Sequence, residues 1–561
     1  MMKRFTGIFS REISNIHHAA FWLAAFGVLA DILGLFRDRL LAGIFGASRA
    51  LDIYYSAFRV PDLIYTFMLL FTASTAIIPF LLDRTEEKRD EFLGALSVWF
   101  LFAIILLDAI AFFAMPWLMR LSLPGFSEKD LAESIMLSRI LLLSPLLLGI
   151  SNIFSSITQY LNRFIVYGLS GVFYNLGIIV GIGIFYPMWG MKGLVLGVVF
   201  GAFLHMAIQI PSLVGVSFRF RWEKFWSGDI WKLSLLSLPR TLGLQINQVI
   251  FTILTGAASV LASGSISIIN LASNLQGIPI TIIGLSYSVA AFPSLASFSI
   301  KKAKDNFAEH FQAAFRHILF WALPFSVLLL ILRAQIVRVI LGSGAFTWSD
   351  TRLTAAALFI LSISVVFQSL FYLLVRAFYA DGESWRPLII NIISGLFCLA
   401  SAFWFLGVLA HDGTAPFAIK RVLDLSDIND IRVLAVPLGM FFGSLVNFIL
   451  LSFSFWIIFG WFPAKGSLKN ILEIVSASLV GGAIAFFGLR IFAVIFDLHT
   501  FFGIFMQGLL AGIFGILADV GVLWILKNRE LTEIFASIKS SIKEPKDIAH
   551  QVAAPEPEKL P

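Results

Sequence analysis

Charged residues are scarce in this chain of 561 residues. Asp, Glu, Lys and Arg make up 13% of the sequence, whereas 59% is hydrophobic and 58 residues are Phe. Soluble domains usually carry roughly 25% charged residues, because they need a polar surface. The composition therefore excludes a soluble enzyme, a disordered chain and a secreted disulfide scaffold, and it predicts an all-α polytopic membrane protein.

Cysteine and enzymatic motifs are also lacking. The single Cys398 excludes a disulfide framework and a cysteine-based metal site. The sequence has no His-Glu-x-x-His pattern, no phosphate-binding loop and no glycine-rich nucleotide turn. We therefore expect no enzymatic activity, no metal and no cofactor. Any transport would draw its energy from an ion, voltage or substrate gradient.

Long apolar runs are abundant. A helix needs about 20 mostly apolar residues to cross the hydrocarbon core of a bilayer. About fourteen runs meet this requirement, so the sequence predicts about fourteen transmembrane helices. They centre on residues 18–36, 52–82, 93–118, 133–160, 166–187, 191–214, 234–257, 266–295, 315–340, 353–378, 387–409, 433–460, 471–495 and 502–526.

The first twelve runs show an internal repeat. Residues 78–81 (Ile-Pro-Phe-Leu) recur as 292–295 (Phe-Pro-Ser-Leu), and Gly125-Phe126 recurs as Ala345-Phe346 ahead of a similar charged turn. These matches lie 214 and 220 residues apart, so six spans repeat as six spans. An even number of spans gives both units the same orientation. The repeat predicts two pseudo-symmetric six-helix bundles around a central cavity, followed by two extra helices.

The loops suggest the orientation of the chain. Lys and Arg concentrate at 83–91, 217–232 and 301–304, on the side that an even span count assigns to both termini. Since basic loops stay in the cytoplasm, both termini are predicted to be cytoplasmic. An excess of Lys and Arg in cytoplasmic loops is a simpler explanation of the net charge of +7 than nucleic-acid binding, so we expect no nucleic-acid partner. The predicted units are an N-terminal segment (1–17), an N-lobe (18–216), a cytoplasmic linker (217–232), a C-lobe (233–462), an extra helix pair (463–526) and an amphipathic helix with a tail (527–561).

Charged residues at membrane depth are the main candidates for a functional site, because each costs roughly 2.5–3.5 kcal/mol at a span centre. The first two spans carry Asp31, Arg37, Asp52 and Arg59, and Arg59 could pair with Asp62 three positions later. These residues would either line a hydrated cavity that meets a charged substrate or form internal ion pairs. Two weaker candidates lie on the seventh and eighth spans, Arg240 and Asn274.

One stretch has a more specific pattern. Residues 33–38 (Leu-Gly-Leu-Phe-Arg-Asp) are followed by 42–47 (Ala-Gly-Ile-Phe-Gly-Ala), then by Asp52 and by 57–61 (Ala-Phe-Arg-Val-Pro). This order resembles the N-terminal pattern of the MurJ/MviN lipid II flippases, in the multidrug/oligosaccharidyl-lipid/polysaccharide exporter superfamily. The similarity extends over roughly residues 20–460, and the fourteen-helix plan of the family matches the predicted span count.

The resemblance implies two lobes that alternate between inward-open and outward-open states. A cationic cavity would hold the pyrophosphate and the sugar-peptide head of the lipid, and the last two helices would form a groove for its polyprenyl tail. Arg37 aligns with a cavity arginine and Asp52 with a functionally important acid. The resemblance also implies a bacterial inner-membrane location, with a lipid-linked substrate, membrane lipids and cell-wall synthesis proteins as partners. We expect a monomer.

The chain departs from the family pattern where three cavity arginines are expected. The residues at these positions are Asp31, Tyr65 and Asn274. Their loss removes bidentate donors suited to a pyrophosphate, for which Arg59, Arg240 and Arg39 could compensate. Three functions therefore remain open. The first is a flippase for a lipid-linked oligosaccharide, lipid II above all. The second is an exporter of another lipid-linked polysaccharide or a drug/cation antiporter, and the third is a non-transporting scaffold derived from a flippase.

Overall fold

The computed structural model describes residues 16–72, 77, 85–213, 228–411, 413–460 and 467–534, and these are helical with no strand among them. The helices that we name are α1 (Ile16–Phe45), α2 (Arg49–Ala57), α3 (Arg59–Thr72), α4 (Glu86–Ser122), α5 (Glu128–Tyr160), α6 (Phe164–Trp189), α7 (Met191–Leu213), α8 (Gly228–Ser259), α9 (Ser265–Ile300), α10 (Lys304–Ile331), α11 (Arg333–Ile340), α12 (Trp348–Ala380), α13 (Trp385–Leu409), α14 (Thr414–Val422), α15 (Arg432–Phe459), α16 (Ser467–Ile495) and α17 (Phe501–Ile525).

The helix lengths confirm an all-helical polytopic fold. Among the described residues, eleven helices are long and apolar enough to cross a membrane, namely α4 to α7, α9, α10, α12, α13 and α15 to α17. The other three expected spans correspond to α1, to α2 with α3, and to α8. The count of fourteen therefore stays a prediction. The run expected at 315–340 is divided, since α10 ends at Ile331 and α11 begins at Arg333.

Proline accompanies several helix irregularities. The apolar run at 52–82 is broken at Phe58, and Pro61 lies in the first turn of α3, where its missing N–H costs no helical hydrogen bond. Pro145 likewise lies in the first helical turn after a break, which is at Leu142 within α5. Pro279 is followed by a π-helical turn, Ile280–Leu285, inside α9. At these three places a proline lies beside an interruption of the regular α-helix, whereas Pro116, Pro293 and Pro324 lie inside continuous helices.

Close glycine contacts pack equivalent helix pairs in the two halves. A Cβ added to Gly181 of α6 would lie 2.4 Å from the Cα of Gly197 on α7. In the second half, a Cβ added to Gly443 of α15 would lie 2.4 Å from the Cβ of Cys398 on α13. Cys398 is buried in this contact, as its apolar neighbours in the sequence predict. Small residues let membrane helices approach closely where no hydrophobic force joins them.

The extra pair, α16 and α17, packs against α10 and α11 of the second lobe. Gly482 contacts Val327 of α10, and Gly508 contacts Gln335 of α11. Beyond α17, Glu530 is fully buried and forms an ion pair of 2.8 Å with Arg316 of α10. This first part of the predicted C-terminal segment is therefore packed on the second lobe. Residues 535–561 lie outside the described residues, as do 1–15 of the predicted N-terminal segment.

The long loop between α13 and α15 is fixed by two ion pairs. Arg352 of α12 binds Asp427, and Arg432 binds Asp430 with 2.7 Å between Nη2 and Oδ2. The hydrogen bonds from these guanidinium groups lower the pKa of both aspartates, because they favour the carboxylate form. The two pairs thus connect this loop to α12 and to the start of α15.

Candidate functional site

Three of the predicted site residues, Asp52, Arg59 and Asn274, lie along one face of α9. Positions 267, 270 and 274 follow a spacing of three and four, which aligns their side chains on a single helix face. They contact, in order, Asp52 of α2, Arg59 of α3 and Asp38 of α1. We call this set of six residues the interlobe seam, because α1 to α3 belong to the first half of the chain and α9 to the second.

Asp52 forms the seam contact nearest to the start of α9, and it is 1% exposed. Its carboxylate accepts hydrogen bonds from the backbone N–H of Gly264 (2.7 Å) and from the N–H and hydroxyl of Ser267 (2.8 and 2.7 Å). The first amides of a helix have no partner within it, and a negative charge there is favourable. Gly264 has a φ of +90° and provides no side-chain cap. Asp52 therefore caps α9 from the opposite lobe.

Arg59 forms the middle contact and is 4% exposed. Its Nη2 donates to Asn270 Oδ1 at 2.7 Å, and its guanidinium lies 4.5 Å from the ring centroid of Phe251 on α8. Among the described residues, Arg59 thus bonds across the seam rather than pairing with Asp62 on its own helix. Asp62 instead lies 3.4 Å from the amide of Gln248 on α8.

Arg37 and Asn274 form the innermost contact through Asp38. The Nη2 of Arg37 lies 2.8 Å from Asp38 Oδ1, and Asn274 Nδ2 donates to Asp38 Oδ2 at 2.9 Å. Arg37 also donates to Asn175 at 3.2 Å and keeps 22% side-chain exposure. The sequence prediction missed Asp38 as a site residue, although a second acid beside Arg37 at membrane depth was a usable signal.

The structure shows no seam contact for the remaining candidates among the described side chains. Asp31 is half-buried on α1 and has no hydrogen-bond partner among the described residues. The backbone of Arg240 lies in α8, but its side chain lies outside the described residues. Arg39 donates to the carbonyl oxygen of Ile340 at the end of α11 (3.2 Å) and faces the ring of Phe501. It therefore joins helix ends and does not supply the cavity with a replacement charge.

The lobes are in contact at the end of the bundle where α1 ends and α9 begins. The N–H of Ala345 donates to the carbonyl of Gly43 at 2.8 Å, and the N–H of Gly125 donates to Ser259 Oγ at 3.0 Å. A Cβ on Gly264 would lie 2.2 Å from the carbonyl oxygen of Ala47. The backbones at Gly264 and Ala47 are too close to leave room for a side chain at position 264. The two lobes are therefore closed against each other at this end of the bundle.

A cavity of about 450 Å³ lies beside the seam, between α8, α9, α12, α13 and α15. Phe251 and Gln248 line it and also contact Arg59 and Asp62, so the cavity adjoins the seam. None of its described lining residues is charged. We call it the C-lobe cavity. Its amide side chains are Asn247, Gln248, Gln276, Gln368, Asn391 and Asn447.

Comparison with known families decides the classification. A family model described as lipid II flippase MurJ matches residues 41–504. The chain belongs to the MurJ lipid II flippase family. Its MurJ relatives include a probable lipid II flippase of Buchnera aphidicola subsp. Acyrthosiphon pisum, 30% identical over 372 residues, with 64% of this chain and 72% of the relative covered. A probable lipid II flippase MurJ of Thermotoga maritima is 28% identical, with 67% and 76% covered.

Solved structures show that the fold is shared with MurJ. A lipid II flippase MurJ in an inward closed conformation superposes with a TM-score of 0.70 at 23% identity, covering 90% of this chain and 98% of that one. An inward-facing multidrug resistance MATE family transporter gives 0.60 at 16% identity, covering 76% and 94%. MurJ membership and the apolar helices confirm the resemblance read from the sequence and show a multi-pass inner-membrane protein.

Proposed function

We propose that this protein translocates lipid II from the cytoplasmic to the outer leaflet of the inner membrane by alternating access. One observation carries the proposal. A chain of the MurJ family joins its two halves through a polar seam, its lobes are in contact at one end of the bundle, and a cavity lies beside the seam. The proposed topology has both termini in the cytoplasm, which makes the closed end periplasmic.

The interlobe seam can form and break as the two lobes close and separate. The cap that Asp52 provides to α9 joins two lobes, so it is lost whenever they separate at the closed end. Losing a helix N-cap costs about 0.5–2 kcal/mol, an amount that a bound ligand can offset by its preference for one state. The contact can therefore stabilise one conformation without locking the protein in it.

Arg37 is the guanidinium that we assign to the pyrophosphate of the lipid. It keeps 22% exposure, while Arg59 is buried against Asn270 and Phe251. A phosphate oxygen pair matches the two parallel donors of a guanidinium, and it would compete with Asp38 for them. Arg240 stands seven residues before Asn247, so the helical repeat places both positions on one face of α8, and we assign it a supporting role.

The extra helix pair is assigned to the polyprenyl tail. Both helices keep large apolar side chains exposed, as expected of surfaces that face lipid chains rather than water. Examples are Phe486, Phe487, Val494, Phe502 and Trp524. The same proposal includes a monomeric protein that works alongside cell-wall synthesis proteins.

A drug or cation antiporter is less well supported. A cationic substrate calls for negative charge in its site, and none of the described residues that line the C-lobe cavity is acidic. An exporter of another lipid-linked polysaccharide shares the chemistry of a lipid II flippase. Only a test with defined lipids separates these two.

Arg37→Ala tests the proposal in living cells. The wild-type chain is expected to restore growth and lipid II exposure in a bacterium depleted of its own flippase. Arg37→Ala is expected to lower lipid II exposure at least tenfold, because it removes the assigned pyrophosphate contact. Arg120→Ala is the control, since that arginine is 63% exposed and pairs with an exposed Glu128.

Two results would contradict this assignment. Failure of a well-expressed wild-type chain to restore lipid II exposure argues against a lipid II flippase. That failure would favour the scaffold interpretation, in which the chain transports nothing. Full activity of Arg37→Ala beside an active wild type would show that Arg37 does not bind the pyrophosphate.

A further inference from the structure

The C-lobe cavity presents polar atoms without partners. Among the described atoms, Ser273 Oγ, Ser394 Oγ and Asn447 Oδ1 are buried and have no hydrogen-bond partner. All three residues line the cavity. A buried polar atom without a partner costs roughly 1–3 kcal/mol, so such atoms are uncommon unless a ligand or water meets them. Their common position indicates that the cavity receives a polar group.

A chain of amides fixes the direction of one of these atoms. Asn391 Nδ2 donates to the carbonyl of Gly243, and Asn447 Nδ2 donates to Asn391 Oδ1 at 2.8 Å. The bond from Asn447 Nδ2 fixes the orientation of its amide, which leaves Asn447 Oδ1 as an acceptor without a partner. An acceptor held in this way suits an N–H donor, such as the amide of a peptide.

Arg376 provides a charge close to the same cavity. It lies on α12 one helical turn beyond Tyr372, which lines the cavity. Its Nη1 is buried without a hydrogen-bond partner, and within the described part of the chain it forms no ion pair. The nearby acid Asp381 accepts a hydrogen bond from Ser299 at 2.6 Å. An unpaired guanidinium at membrane depth is costly, so an anionic partner is expected.

The position of Arg376 agrees with entry of a substrate from the cytoplasm. It is four residues from the end of α12, at the end of the bundle opposite to the closed contacts of Gly43 and Gly264. In the proposed topology this is the cytoplasmic end. A headgroup that enters there would meet Arg376 before it reaches the amides deeper in the cavity.

From this arrangement we infer that the C-lobe cavity binds the peptide part of the lipid-linked headgroup, with Arg376 as the partner of a peptide carboxylate. This inference rests on the proposed function and adds a specificity to it. A planar carboxylate takes two parallel hydrogen bonds from a guanidinium, and peptide N–H groups suit Asn447 Oδ1. Sugar hydroxyls alone would satisfy the amides but leave Arg376 without an anion. The volume of about 450 Å³ is in the range of small-ligand pockets.

Binding by three defined lipids tests the inference, with the full-length protein in lipid nanodiscs. The probes are lipid II, the same polyprenyl-pyrophosphate disaccharide without its peptide, and lipid II whose peptide carboxylates are amidated. The wild type is expected to bind lipid II at least tenfold more tightly than either other lipid. In Arg376→Gln this preference is expected to fall below threefold, with affinity for the peptide-free lipid unchanged within twofold.

Two further variants make the test specific. Arg376→Lys keeps the positive charge but loses the two parallel N–H donors of the guanidinium. We therefore expect it to retain an intermediate preference for lipid II. Arg386→Gln should behave as the wild type, because that arginine is exposed and pairs with Glu383 at 3.4 Å on the surface.

The outcomes separate the two proposals. If the wild type binds lipid II and the peptide-free lipid equally well, the peptide subsite is wrong and the flippase proposal stands. Equal weakening of both lipids in Arg376→Gln also contradicts the subsite. If the wild type binds none of the lipids, the proposed function fails and the subsite fails with it. Should Arg376→Gln not fold, the wild-type preference among the three lipids decides alone.

Discussion

Asp52 shows how one side chain can link the two lobes. Its carboxylate satisfies amides at the start of α9, although it lies on α2 and more than 200 residues earlier in the sequence. Because the carboxylate is 1% exposed, no solvent replaces these bonds while the lobes remain closed. Its negative charge adds to these hydrogen bonds, since it faces the positive end of the helix.

Asp52→Asn should therefore weaken the closed end. Loss of the charge is expected to cost about 1–2 kcal/mol, which shifts the balance toward the open state by a factor of about 5–30. Spin labels on cysteines introduced at this end of each lobe would measure the change in distance. Cys398 is buried, so it should not take up label.

Asp130→Asn is the matched control for this measurement. Asp130 lies at the same end of the bundle, but its ion pair with Arg49 at 3.9 Å stays within the first lobe. We expect it to leave the distance distribution unchanged. An unchanged distribution in Asp52→Asn would show that the cap does not hold the lobes together.

The sequence predicted these residues better than their partners. Charge at membrane depth indicated Arg37, Asp52 and Arg59, because a charged side chain in hydrocarbon is energetically costly and rare without a function. Their partners Asn270 and Ser267 are common polar residues of membrane helices, and only the alignment of two bundles brings them to the seam. At position 274 the family pattern predicts a cavity arginine, and the asparagine that stands there contacts Asp38 through its amide.

The helices coincide with the apolar runs of the sequence, but not every interruption of a helix has a signal in the sequence. Hydrophobic length predicted helices over most of the described chain, since the backbone in a bilayer must satisfy its own hydrogen bonds. The divisions at Phe58 and at Leu142 each precede a proline by three residues, which is a local signal. The division between Ile331 and Arg333 has no proline beside it, so the sequence does not mark it.

Close packing of α6 on α7 gives a prediction at the scale of elements. Gly181→Ala would place a Cβ 2.4 Å from the Cα of Gly197, so the two helices must move apart. We expect a loss of about 1–3 kcal/mol, seen as a lower Tm of the detergent-solubilised protein. Gly183→Ala is the control in the same turn, because nothing lies within 4 Å of its added Cβ. Equal Tm values for the two variants would contradict this packing.

At the scale of the whole molecule, the extra helix pair is fastened to the second lobe. The pair between Arg316 and Glu530 is buried, with side-chain exposures of 14% and 0%. Removing one partner of a buried ion pair costs about 3–5 kcal/mol, because the other charge remains in a poorly solvating site. This pair should therefore hold the extra helices in place as the lobes move.

Glu530→Gln tests this attachment. We expect a lower Tm and faster proteolytic release of the segment that contains α16 and α17. Glu533→Gln should change neither property, since Glu533 is 42% exposed and pairs with Arg529 on the surface. If Glu530→Gln is as stable as the wild type, the attachment does not depend on this ion pair.

The central claim is that this MurJ-family chain moves lipid II across a bilayer, and a flipping assay tests it most directly. Purified wild-type protein would be reconstituted into liposomes with lipid II labelled in one leaflet, and the transfer to the other leaflet would be timed. We predict transfer well above the rate of protein-free liposomes, with Arg37→Ala close to that background and Arg120→Ala active. A correctly folded wild-type protein that leaves lipid II in its original leaflet would contradict the account.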